Sequence, residues 1–330
     1  MSAKEIYRAF SRSEPTLPIF SRDWWLDATA GPEGWDAAVV TKGQRIVAAM
    51  PYVLRRRFGL RALSQPQLTP KLGPWFAPVE GKPAKKLGTE KDFMQALIDQ
   101  LPRFDYFTQN WDCSRTNWLP FLWNGFQQTT CYTYVLPDLG DLDRIWSAFD
   151  NPTRAECNKA STRYRLEVRD DLPLDDFLAL NRLTFERQGM QVPYPDDYVR
   201  RIDAACAERG CRKFLIAVDP EGRQHAGNYF VWDGCSAYGM MNGADPALRN
   251  SGATSLCMWA VIRHAAGVTR QFDFAGSMME PIERFIRGFG AVQVPYFNIR
   301  KTPSRLLRIE RGLRNAFGKE LRKAATSLKT

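Results

Sequence analysis

Apolar and polar positions alternate in short blocks along this chain, and the clearest succession of blocks runs from Lys213 to Ser277. K-F-L-I-A-V-D, H-A-G-N-Y-F-V-W and C-S-A-Y-G-M-M-N-G-A-D are apolar or aromatic runs parted by P-E-G-R and D-G. Runs of that length between turn residues predict an antiparallel meander. Beyond Asp245-Pro246, Leu256, Trp259, Ala260 and Arg263 recur at helical spacing. They predict a helix of about 15 residues that stops at Gly267. Gln271–Ala275 then reads as one more strand.

The first half carries a similar order. S-R-D-W-W-L-D-A-T-A-G predicts a helix packed through Trp24, Trp25 and Ala28, and Trp35–Leu54 predicts a hairpin around K-G. Gly59–Lys86 is rich in Pro and Gly and reads as irregular. Lys91–Leu101 reads as an amphipathic helix with Phe93, Leu97 and Leu101 on one side, F-D-Y-F-T-Q-N-W as a strand, Trp118–Trp123 as a short helix and Thr130–Leu136 as a strand. Set beside the second half, F-D-Y-F-T matches F-D-F-A-G, Gly125-Phe126 matches Gly288-Phe289, and Tyr132 matches Tyr296. These, with Phe121 matching Phe285, make four matches in one order and predict two copies of one α/β unit. Helices are also expected over Pro173–Gln188 and Asp197–Glu208, joined by Q-V-P-Y-P-D-D-Y, whose two prolines and two tyrosines suggest a shaped loop.

Composition narrows the function classes. A chain of 330 residues suits two domains, and its 44% hydrophobic and 25% charged content is that of a globular protein. The seven scattered cysteines form no C-x-x-C pair, and only His225 and His264 accompany them, so a zinc site is not expected. Reduced thiols and a cytoplasmic location follow. The net charge of +10 is concentrated: Arg300–Thr330 holds ten Lys or Arg and two Glu. There Leu306, Ile309, Leu313, Phe317 and Leu321 recur beside arginines, predicting a basic amphipathic helix. It could dock on an anionic membrane surface at the inner face, bind tRNA phosphates, or pack on the body.

The duplication, with N-G-A-D-P-A-L-R-N-S-G-A-T and F-D-F-A-G-S-M-M-E-P-I-E-R-F-I-R-G-F-G, resembles the FemAB-like acyltransferases, a group built from tandem GNAT-like domains. The resemblance implies an α/β fold with mixed sheets. Its parts would be an N-terminal GNAT-like domain over 1–140, a connecting basic segment over 141–170, a C-terminal GNAT-like domain over 171–302 and the tail over 303–330. It implies transfer of an acyl or aminoacyl group to an amine, on a small-molecule or lipid-linked acceptor such as a sugar or cell-envelope precursor. The donor could be acyl-CoA, aminoacyl-tRNA or an acyl carrier protein, and no metal is implied.

Candidate site residues follow from that likeness and from chemistry. The donor is expected along Tyr238–Asn242, including Met240, Met241 and Asn242, and at the helix start Arg249, Asn250, Ser251, Gly252, Ala253 and Thr254. Free N–H groups at a helix N-terminus suit a pyrophosphate, although Thr254 replaces the last small residue of the GNAT pattern. An ordinary helix start capped by Ser251 or Thr254 reads the same residues equally well. Aminolysis needs a base and an oxyanion donor. Asp273 between two phenylalanines could be the base or a structural acid, and Tyr238 and Tyr296 could supply a phenol. Lys159 and Arg163 could clamp a phosphate-bearing substrate, and Tyr194 and Ser277 could contact the acceptor. A non-catalytic module that binds membrane or nucleic acid through its tail is the rival from another class.

Overall fold

The structure is a computed structural model that describes residues 2–276, 278–305, 307 and 308. Helices α1 (Ala3–Ser13) and α2 (Asp23–Ala30) precede strands β1 (Trp35–Lys42), β2 (Arg45–Arg57), β3 (Leu60–Ser64) and β4 (Trp75–Phe76). Helix α3 (Pro83–Asp99), strand β5 (Tyr106–Asn110), helix α4 (Leu119–Trp123) and strand β6 (Gln127–Leu136) follow. Next come helices α5 (Leu142–Ala148) and α6 (Asn151–Thr162), strand β7 (Glu167–Arg169), and helices α7 (Leu174–Arg187) and α8 (Asp196–Ala207). The meander is β8 (Arg212–Val218), β9 (Gln224–Trp232) and β10 (Ser236–Ala244). Helix α9 (Ala253–Ala266), strand β11 (Gln271–Asp273), helix α10 (Glu280–Arg287) and strand β12 (Val292–Lys301) complete the order.

These elements form two units. One takes the residues up to Ser11, Ala30–Thr130 and those from Phe297 on; the other takes Arg12–Thr29 and Cys131–Tyr296. In the first, β2 pairs antiparallel with β1 and β3, β3 runs parallel to β5, and β5 pairs antiparallel with Asn298–Lys301. In the second, β8, β9 and β10 pair antiparallel, β10 runs parallel to β11, and β11 pairs antiparallel with Val135 and Leu136. Each unit thus has antiparallel strands, a helix that crosses to a parallel strand, and an antiparallel strand beyond it. The fold is mixed α/β.

Local chemistry explains several boundaries. Asp219 ends β8 by accepting the Glu221 and Arg223 N–H groups at 3.1 and 2.8 Å, and its other oxygen meets His225 Nε2 at 3.0 Å. Burial works against that carboxylate, but hydrogen bonds from His225 and Arg223 outweigh it and hold the group well below the usual carboxylate range. Helix α3 begins at Pro83, eight residues before the expected Lys91 and inside the stretch read as irregular. Proline at the first turn starts a helix well because its missing N–H has no partner there in any case. That stretch also holds β3 and β4, which pair with β2. In α2 the buried positions are Asp23, Trp25, Leu26 and Thr29 rather than Trp24 and Ala28, so the helix is rotated from the expected face. The basic amphipathic helix expected in the tail falls on residues 306 and 309 onward, outside the described residues. Among the described residues no helix is long and apolar enough to cross a membrane.

The second unit is packed from both faces of its sheet. On one side Met258, Val261 and Ile262 of α9 meet Leu215, Phe230 and Phe272, each large side chain contributing roughly 1.5–3 kcal/mol on burial. On the other side Phe177 of α7 packs against the rings of Phe214 and Tyr229. Helix α7 comes so close to β10 that a Cβ on Gly243 would lie 2.6 Å from both Asn181 N and Leu180 C. Gly243→Ala should therefore lower the denaturant midpoint by the equivalent of about 1–3 kcal/mol, the usual cost of overpacking a tight contact. Equilibrium unfolding in urea measures it.

Candidate functional site

Strand β10 loses its parallel neighbour halfway along its length. The ladder with β11 holds only Ser236↔Gln271, Ala237↔Phe272 and Tyr238↔Asp273, whereas the ladder with β9 continues to Ala244↔Ala226. Asp273 ends β11. Its Oδ1 accepts the Ala275 N–H at 2.8 Å and the Thr133 hydroxyl, and Ala275 and Gly276 take φ of 56° and 58°. Two successive left-handed residues cannot continue a strand, so the chain turns away. The register of β10 against β9 also shifts between Gly239 and Met241. Met240 is the extra residue of that bulge, and bulges of this kind re-aim a strand beside binding sites.

Past the bulge, helix α7 takes the place of the missing strand. Asn181 Nδ2 donates to the Asn242 carbonyl at 2.7 Å, and Thr184 Oγ1 accepts the Ala244 N–H at 2.9 Å. The Tyr194 hydroxyl donates to Asn181 Oδ1 at 3.3 Å. Tyr194 and Asn242, two of the sequence candidates, are thus joined through a residue the sequence reading passed over. The signal was there: Asn181 and Thr184 are polar positions three apart within the apolar run F-L-A-L-N-R-L-T-F. Burial pushes the Tyr194 phenol up to about 12, against the opposing effect of its hydrogen bond with Asn181.

The helix start expected to cradle a pyrophosphate is covered. Gly252 has φ 80° and links the 3₁₀ turn Pro246–Ser251 to α9. A Cβ there would fall 2.2 Å from the Glu156 carbonyl oxygen and 3.2 Å from its carboxylate. Glycine is required at this position because α6 lies against it. Ser251 and Ala253 are buried, and Arg249 and Asn250 are exposed. Ser251 Oγ accepts the Ala253 N–H at 3.4 Å, and the Gly252 carbonyl accepts the Ser255 and Leu256 N–H groups, each at 3.1 Å. The positive end of α9 therefore faces the Glu156 carboxylate, which favours that dipole as a phosphate would. Gly252 is therefore accounted for by helix packing, as the ordinary helix start read from the sequence would have it.

Other candidates resolve individually. The Tyr238 hydroxyl donates to Asp233 Oδ2 at 3.3 Å, and its ring meets Phe20 edge-on at 4.8 Å. It is a buried aromatic, the packed alternative to a general acid. Asp273 is buried with its Oδ1 committed to the turn, the structural alternative to a base. Tyr296 is half-buried on β12, Met240 is half-buried, Met241 is buried and Asn242 is exposed. Thr254 lies in the first turn of α9. Lys159 is paired with Glu156 at 2.6 Å, Arg154 is held by the Ser147 carbonyl and Asn151, and exposed Arg163 rests over the ring of Tyr164. Each of these cations thus has a partner within its own segment. Ser277 lies outside the described residues. Among the described residues no group of three His, Cys, Asp or Glu is placed to hold a metal ion.

Two measurements follow from this geometry. Because Tyr194 is raised from 10.0 to about 12, the folded form keeps its proton where the unfolded chain loses it. Its contribution is complete below pH 10 and is lost as pH rises through 12. Tyr194→Phe should therefore flatten the alkaline fall of stability by up to about 2–3 kcal/mol, read as unfolding midpoints near pH 9 and pH 12. Gly252→Ala should destabilise the protein by at least about 1–3 kcal/mol with no ligand present, since strain and the Glu156 contact act on the free fold. A thermal melt of the unliganded variant checks it.

Residues 151–281 match the family model of the acetyltransferase (GNAT) domain. No curated protein matches the sequence. Among solved structures the chain is similar to FemX, at 13% identity over 90% of this chain and 96% of that one, with a TM-score of 0.66. It is also similar to a conserved protein of unknown function from Bacteroides thetaiotaomicron, at 12% identity, coverage of 90% and 95%, and a TM-score of 0.56. A third likeness is to the C-terminal domain of a proposed lysylphosphatidylglycerol synthetase from Agrobacterium fabrum, at 11% identity, coverage of 91% and 92%, and a TM-score of 0.54. At these identities the likeness is one of fold. Residues 151–281 thus resemble an acetyltransferase (GNAT) domain, carried in a chain whose overall fold is similar to that of FemX.

Proposed function

We propose that the protein transfers an acyl or aminoacyl group from an activated donor to an amine, on a sugar or cell-envelope precursor that is free or lipid-linked. The observation that carries this reading is the edge of β10 at Met240 and Met241, where β11 has turned away and the ladder with β9 is bulged. Main-chain groups at such an edge suit the extended arm of a thioester or ester donor, which would add to the sheet as a short strand does. In the reaction the amine nitrogen bonds to the donor carbonyl carbon, an oxyanion forms, and its collapse expels the carrier's thiol or hydroxyl. The proton lost by the amine ends on that leaving group or in solvent. Positioning and oxyanion stabilisation would supply the rate.

The closed start of α9 favours one second reading. With Glu156 over Gly252, a donor carrier need not be anchored there by a pyrophosphate. An aminoacyl-tRNA, which has no pyrophosphate at the donor end and would be held by cations elsewhere on a chain of net charge +10, fits that constraint, as does an acyl carrier protein.

The test is a panel of acetyl-CoA, longer acyl-CoAs and charged tRNA, scored for thermal stabilisation and for amide formation on amino-sugar acceptors. Met240→Asp should reduce kcat/KM for the productive donor at least about tenfold, equivalent to about 1.4 kcal/mol, while far-UV circular dichroism stays native. Productive tRNA would show affinity falling steeply with salt. No stabilisation and no amide with any donor would overturn the enzyme reading and leave a binding module.

A further inference from the structure

Helix α8 ends in a turn that places two thiols side by side. The Gly210 N–H donates to the Ala207 carbonyl at 3.0 Å and the Cys211 N–H to the Cys206 carbonyl at 3.1 Å, with Gly210 at φ 58°. This pair of bonds defines a Schellman ending, in which the residue after the glycine folds back on the residue five before it, commonly as an apolar contact. Here both contact positions are cysteine. Cys211 Sγ lies 3.5 Å from the Cys206 carbonyl oxygen. Cys206 is fully buried, whereas Cys211 is partly exposed.

We infer that Cys206 and Cys211 form a reversible intramolecular disulfide when the protein meets a hydroperoxide. The backbone hydrogen bond across five residues holds the two Cα atoms within the separation that a disulfide needs. Roles divide by environment. The hydrogen bond between the thiols lowers Cys211, with Arg209 assisting against burial, and raises Cys206. Cys211, the thiol that a hydroperoxide can reach, is the attacking sulfur, and buried Cys206 is the resolving one. The Cys211 thiolate displaces water from the hydroperoxide, gaining oxygen as a sulfenic acid. The Cys206 sulfur then bonds to the Cys211 sulfur, and the sulfenic oxygen leaves as a second water with the Cys206 proton. Two thiols and one hydrogen peroxide give one disulfide and two waters, and a dithiol reverses the change by exchange.

The bond would fasten the last turn of α8 to the strand that follows it. The Cys211 carbonyl accepts the Trp232 N–H at 3.0 Å, and the adjacent Arg212 side chain meets Asp203 on α8 at 2.8 Å. Oxidation thus acts where α8 joins the meander.

Peptide mapping tests the inference on the full chain. Trypsin cuts after Arg201, Arg209 and Arg212, which separates Cys206 from Cys211. After hydrogen peroxide, peptides 202–209 and 210–212 should appear joined, two hydrogens lighter than their sum, and dithiothreitol should release them. Cys206→Ser and Cys211→Ser should each abolish the joined species, and alkylation of Cys211 in the native protein should fall at least tenfold on oxidation. A bond from Cys211 to exposed Cys235, a Cys211 sulfinic acid, or undiminished alkylation of Cys211 once Cys235 has oxidised would overturn it.

Discussion

The buried carboxylate of Asp273 sets the shape of the second unit's site. By accepting the Ala275 N–H and the Thr133 hydroxyl, it steadies a turn with two consecutive left-handed residues. Such residues cost of order 1–3 kcal/mol when they are not glycine, and Ala275 is not. The turn ends β11 after three paired residues and leaves β10 to run on without it. A sheet interrupted there has main-chain groups to satisfy, and the rest of the site is the way that is done.

Satisfaction comes from side chains on a helix. Asn181 and Thr184 bond to Asn242 and Ala244 as a neighbouring strand would, and Tyr194 holds the other end of the Asn181 amide. The arrangement is possible only because Gly243 admits the α7 backbone. Met240 and Met241, between the departing strand and the arriving helix, are left at an edge with a bulge.

On the far side of the same strand the logic is reversed. The N-terminus of α9 is a natural anion site by its dipole, yet α6 brings Glu156 close to Gly252, and the Ala253, Ser255 and Leu256 N–H groups are taken within the turn. A glycine that suggests ligand access is here a glycine of helix packing. The two explanations need the same residue, and only the neighbour distinguishes them.

Much of this fold was legible from local pattern. The meander, the helix ending at Gly267 and the strand after it follow from alternation, helical spacing and turn residues, which act over a few positions. The repeated order of elements could be read for the same reason. What the tertiary structure decided involves partners far apart in the chain: Gly252 with Glu156, Asn181 with Asn242, Asp273 with Thr133, Tyr238 with Asp233 and Phe20. A side chain's role depends on what burial places against it, and periodicity along one segment carries no record of that neighbour.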